Sequence, residues 1–157
     1  MTGPREDQET EKERTTRRWN EMLQELRVAQ TGVQVLTGFL LTVAFSQRFG
    51  ALEQATKNAY LVTVCASVLA AGLLIAPVAF HRVLFSRGEK EWLVHAANVS
   101  ARAGLAMLAV TMTGVMFVIF DLVVGRTGAV IFGAATAVVL LALWLVVPII
   151  GAETSDD

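Results

Sequence analysis

Four stretches of this chain carry almost no charge, and each is long enough to cross a lipid bilayer. Residues 28–47, 58–80 and 128–150 contain no Lys, Arg, Asp or Glu, and residues 103–124 contain only Asp121. A helix rises about 1.5 Å per residue, so about 20 apolar residues cover the roughly 30 Å hydrocarbon layer. No water bonds the backbone there, so each segment must satisfy its own amides as a helix. A β-barrel is excluded because runs such as VLTGFLLTVAF and VVLLALWLVV do not alternate apolar and polar positions. The expected fold is all-α, an integral membrane four-helix bundle with spans at 28–47, 58–80, 103–124 and 128–150.

Composition points the same way. The 157 residues are 54% hydrophobic and 17% charged, with a mean hydropathy of +0.55. Soluble domains average about 45–50% apolar and about 25% charged. An ordinary soluble enzyme and a disordered chain are therefore excluded. A disulfide-stapled module is excluded because Cys65 is the single cysteine. Lying inside the second span, Cys65 reads as a small packing residue. Net charge is -1 and no basic run is interleaved with aromatics, so no nucleic-acid partner is expected. Arg outnumbers Lys ten to three among abundant Ala, Val and Leu, a composition that suggests a GC-rich bacterial source.

The basic residues set the direction of the spans, because Lys and Arg accumulate on the cytoplasmic side. Arg5, Lys12, Arg14, Arg17, Arg18 and Arg27 precede the first span, and Arg82, Arg87, Lys90 and Arg102 lie between the second and third. Only Arg48, Lys57 and Arg126 lie on the opposite side. Both termini are therefore expected in the cytoplasm. The first 27 residues are polar, so the first span is expected to act as an uncleaved signal. Residues 125–127 leave room only for a tight antiparallel hairpin between spans three and four.

Outside the spans, residues 1–10 (MTGPREDQET) read as a disordered tail and 151–157 as a short acidic tail. Residues 11–27 read as an amphipathic cytoplasmic helix: Trp19, Met22, Leu23 and Leu26 follow helical spacing, and no breaker separates them from Val28. Trp19, Trp92 and the inner Arg and Lys residues fit attraction to anionic lipids at the cytoplasmic face. His81 and His95 flank the basic inner loop and read as headgroup contacts.

Polar residues inside the spans are the candidates for chemistry. On span one Gln30, Gln34, Thr37, Gly38 and Thr42 share one face, and on span three Ser100, Gly104, Met107, Thr111, Gly114 and Asp121 share another. Such faces are expected inside a bundle, as is the small-residue row Ala129, Gly133 and Ala137 on span four. Asp121 is the most informative. A carboxylate in hydrocarbon must be paired, hydrated or neutralised. It lies about one helical turn from Gly125, so Arg126 and Arg48 are candidate partners, and Thr42 and Ser46 candidate hydroxyl neighbours. A second candidate group is a cytoplasmic polar cluster of Glu25, Arg27, His81 and Arg82. The chain has no Walker loop, dinucleotide glycine fingerprint, metal-ligand spacing or nucleophile triad, so neither enzyme activity nor a cofactor is expected.

Two motifs, RWNEMLQELRVAQTGVQVLTGFLL at 18–41 and LLIAPVAFHRVLF at 73–85, resemble a bacterial family of small four-span membrane proteins of unknown function. Some members of that family carry the automatic name sodium:proton antiporter. The resemblance implies a multi-pass protein of the bacterial plasma membrane and assigns no functional residue. The expected function is non-enzymatic assembly or interaction, with a homo-oligomer or membrane protein as partner. The alternative is a small oligomeric cation or proton transporter or channel, its path lined by Gln30, Gln34, Thr37, Thr42, Thr111 and Asp121.

Overall fold

The computed structural model describes residues 11–84, 90–147 and 149; the side chains of 11–16, 18, 19, 22, 81, 83, 84 and 90–94 fall outside that description. The two expected tails, and the lipid-facing roles assigned to Trp19 and Trp92, lie outside the described residues. Four helices follow in order: α1 (Glu11–Ala44), α2 (Gln54–Leu84), α3 (Lys90–Val123) and α4 (Arg126–Leu141). A short 3-10 turn (Phe49–Ala51) joins α1 to α2, and a π-helical turn (Ala142–Val146) extends α4. Among the described residues there is no strand. Each of α1, α2 and α3, and α4 together with its π-helical turn, provides a segment long and apolar enough to cross a membrane: Leu23–Ala44, Gln54–Phe80, His95–Val123 and Arg126–Val146.

The helices overrun the uncharged stretches. Glu11 to Ala44 is one uninterrupted helix, α2 already includes Lys57, and α4 begins at Arg126. Charge limits how far a helix can enter hydrocarbon, but it does not stop a helix. Backbone breakers do. The turn between α3 and α4 is only Val124 and Gly125, whose amides both donate to Phe120 O, at 2.8 and 3.0 Å. Gly125 takes φ 96° and ψ -179°, a conformation essentially reserved for glycine.

Packing follows a seven-residue repeat. On α1 the buried residues are Leu26, Val33 and Leu40, with Ala29, Leu36 and Val43 half-buried three residues after each. On α2 Thr56, Tyr60, Thr63, Ser67, Ala70, Leu74 and Pro77 are buried, spaced alternately by four and three, with Ala66 buried beside Ser67. On α3 Ala97, Ala101, Gly104, Leu108, Thr111 and Val118 keep the same spacing, with Val115 half-buried in sequence. An average period of 3.5 keeps one seam facing its partner, as in left-handed knobs-into-holes packing. The largest interface joins α2 to α3; α1 packs mainly on α2, and α4 on α3. Along the apolar segments the outward faces are mostly apolar, with Phe39, Val62 and Val123 among many exposed residues, whereas the first half of α1 exposes Glu25 and Arg27. Cys65 is also exposed, on the outer side of α2 rather than in the packing seam expected for it.

Glycine and proline shape the α2–α3 contact. A Cβ at Gly114 would overlap the Thr63 side chain, and one at Gly104 would meet Leu74 Cδ2 and Cγ at 2.9 Å. The two backbones can approach this closely only because both positions lack a side chain. Pro77, inside α2, lacks the N–H that would bond the Leu73 carbonyl four residues earlier. Ser100 Oγ of α3 donates to that same carbonyl at 2.7 Å, so the acceptor freed by the proline is satisfied from the neighbouring helix.

A double-mutant cycle in detergent unfolding checks this arrangement. Ser100→Ala should lower stability by about 1 kcal/mol, the usual scale of an interhelical hydrogen bond in a membrane protein. In a Pro77→Ala background the restored N–H serves Leu73 O, and the same change should cost little. Equal losses in both backgrounds would contradict the pairing.

Candidate functional site

Glu53, Thr56, Asp121 and Arg126 converge at the end of the bundle that carries Gly125. The glycine turn reverses the chain within two residues, so Arg126, first residue of α4, folds back over Asp121 near the end of α3. Arg126 Nε lies 3.6 Å from Asp121 Oδ1, and its Nη2 lies 3.0 Å from Glu53 Oε2. Thr56, buried in the first turns of α2, completes the group. Its hydroxyl donates to Asp121 Oδ2 and accepts from Arg126 Nη2 at 3.3 Å. The guanidinium carbon also sits 5.5 Å from the Phe117 ring centroid, within cation–π range.

Exposure differs across the cluster. The Asp121 side chain is 9% exposed, that of Arg126 40% and that of Glu53 82%. The Glu53 contact is therefore a solvated surface pair of small worth, and the Asp121 contact is the one in low dielectric. Each Asp121 oxygen has a partner, and no buried side-chain N or O among the described residues lacks one. Chemically, the cluster is a neutralised carboxylate held by a hydroxyl and a guanidinium. It links α2, α3 and α4 at one point. Among the described residues no three His, Cys, Asp or Glu side chains gather where a metal could be held.

The remaining candidates lie apart from it. Thr37 donates to Val33 O at 2.8 Å, Thr42 to Gly38 O at 3.0 Å and Thr111 to Met107 O at 2.9 Å, each within its own helix. Gln30 is half-buried, while Gln34 and Thr42 are exposed. The face of α1 expected inside the bundle is thus partly turned out, and Leu26, Val33 and Leu40 occupy the interior. Once a threonine hydroxyl bonds its own helix it needs no partner, and the larger apolar side chains fill the seam better. On α3 the expected face is the buried one, with Ser100, Gly104, Thr111 and Asp121 toward the bundle. Thr111 is ten residues from Asp121, about 15 Å along the helix. Arg48, Thr42 and Ser46 are exposed, and Arg126 and Thr56 hold Asp121 in their stead. In the second candidate group Glu25, Arg27 and Arg82 are exposed, and among the described residues no ion pair joins them. The side chain of His81 lies outside the described residues.

Residues 8–148 match the family model of DUF6328, a family of unknown function. The chain belongs to this family. No curated protein and no solved structure matches it. For this DUF6328 member the fold and the cluster geometry therefore carry the functional argument.

Reasoning from sequence missed Thr56 and Glu53, because the charge of Lys57 placed them outside the second span. A signal was available: Thr56, Tyr60, Thr63, Ser67, Ala70 and Leu74 repeat by four and three, which marks Thr56 as a seam position of one continuous helix.

Proposed function

We propose that this protein is a non-enzymatic assembly or interaction protein of a bacterial plasma membrane, crossing it four times with both termini cytoplasmic. The observation that carries the reading is the use of its polar side chains. Asp121 is neutralised by Arg126 and bonded by Thr56, Ser100 serves the carbonyl freed by Pro77, and Thr37, Thr42 and Thr111 bond their own helices. Asp121, Arg126, Thr56 and Ser100 join helices to one another, and the hydroxyls of Thr37, Thr42 and Thr111 are taken up within their own helices. Among the described residues these groups form no continuous polar file along α1 and α3. Helix length supports a partner-binding role. At 34, 31 and 34 residues, α1, α2 and α3 are about 46–51 Å long and outrun a 30 Å layer. The excess on α1 and α3 lies at the end away from Gly125, which the arginine distribution assigns to the cytoplasm. Anionic lipids at that face, and a second copy or another membrane protein, are the partners this surface suits; nucleic acid is not.

Proteoliposome flux measurements test the reading against transport. The purified protein should leave proton and sodium leak at the level of protein-free vesicles, with no change in Asp121→Asn. A cation-dependent flux that Asp121→Asn abolishes would overturn the proposal in favour of a path along Gln30, Gln34, Thr37, Thr42, Thr111 and Asp121.

A further inference from the structure

A groove of about 1320 Å³ runs along α3 and α4, floored by α2. Ligand sites are about 300–1,000 Å³, so it is large enough for a sizeable molecule. Ala106, Ala109, Gly133 and Ala137 make it concave and apolar, and its far end holds Arg102 and Trp144. Arg102 alone is charged among the described residues of the lining, and it forms no ion pair among the described residues.

Depth gives the arrangement its meaning. At 1.5 Å per residue, Arg102 lies about 32 Å along α3 from Val123, and Trp144 about 27 Å along α4 from Arg126. Both therefore sit about one hydrocarbon thickness from the Gly125 turn, at the depth of the opposite headgroup layer. A guanidinium pairs with phosphate through two parallel N–H donors. An indole favours the same layer, its ring in the apolar region and its N–H toward the polar one.

We propose that this groove binds an anionic phospholipid, an acyl chain lying along α3 and α4 and the headgroup phosphate meeting Arg102 beside Trp144. The charge at one end and the apolar remainder match the two halves of such a molecule. A second copy of the chain would have to bring an acidic group to the same depth to match Arg102. The inference rests on the membrane-spanning reading and is independent of the assembly role.

Fluorescence quenching tests it on the full chain. Trp19→Phe with Trp92→Phe leaves Trp144 as the sole indole. The protein is placed in mixed vesicles of phosphatidylcholine and phosphatidylglycerol, with one lipid or the other brominated on its acyl chains. Brominated phosphatidylglycerol should compete for the site about fivefold better than brominated phosphatidylcholine, the scale expected for one basic side chain at an anionic surface. Arg102→Gln should remove that preference, and Arg82→Gln, at an exposed basic residue outside the groove, should leave it intact. Equal quenching by the two lipids in the Arg102 protein would overturn the proposal. So would a preference that survives Arg102→Gln, which would assign it to general surface charge. Quenching by either lipid that falls as protein per vesicle rises would overturn it in favour of a second copy in the groove. Failure to float with the vesicles would overturn the spanning reading itself, and the proposal with it.

Discussion

Arg126→Met should destabilise the protein by about 3 kcal/mol, the low end for removing one partner of a buried ion pair. The low end applies because the Arg126 side chain is 40% exposed and water already screens it in part. Most of the loss arises at Asp121, whose 9% exposed carboxylate would keep only the Thr56 hydroxyl. Pairing Arg126→Met with Asp121→Asn should recover most of the stability, because a neutral amide accepts from Thr56 without requiring a cation. Asp121→Asn alone should be intermediate, since the guanidinium it leaves can reach Glu53 and solvent. Reversible unfolding in mixed detergent micelles measures all three. Losses that simply add, without recovery in the double variant, would mean that the two side chains act independently.

Gly114→Leu should have an effect at least as large. A Cβ there would overlap Thr63 Oγ1 and stand only 3.0 Å from Thr63 Cβ, so no rotation of the threonine clears the space. The helices must separate, and overpacking of this kind costs about 1–3 kcal/mol, with Leu at the upper end. Separation would also pull Ser100 from Leu73 O, adding to the loss. Gly32 on α1 is the control, because a Cβ there meets nothing within 4 Å. Gly32→Ala should be neutral or stabilising by up to about 1 kcal/mol, from helix propensity alone. If both substitutions cost the same in thermal unfolding, close approach at Gly114 is not what holds α2 to α3.

The existence of the four apolar segments was legible in the sequence because a charge-free run of about 20 residues matches the thickness of a bilayer and seldom arises in a soluble fold. Their ends were less legible. Lys57 and Arg126 bound the apolar stretches yet lie inside helices, so the charge boundary and the helix boundary differ. Asp121 was legible as the single intramembrane acid and Arg126 as a candidate partner. Thr56 was not, because it precedes Lys57 and so falls outside the uncharged stretch. The α1 face was unreadable for a different reason. In lipid the interior and the exterior of a bundle are both apolar, so Gln34 and Thr42 do not by themselves tell which side faces in. The Leu26, Val33 and Leu40 repeat carries that information, but only once packing is considered as well as polarity. On α3 polarity and packing agree, and there the buried face was readable.

Reporter fusions after Gly125 and after Asp157 test the central claim, four crossings with the chain ends inside, most directly. An enzyme active only outside the cytoplasm, inserted after Gly125, should be active, and the same enzyme after Asp157 should be inactive. A reporter active only in the cytoplasm should give the reverse. Equal activity of one reporter at both positions would place the two on the same side of the membrane and contradict the account.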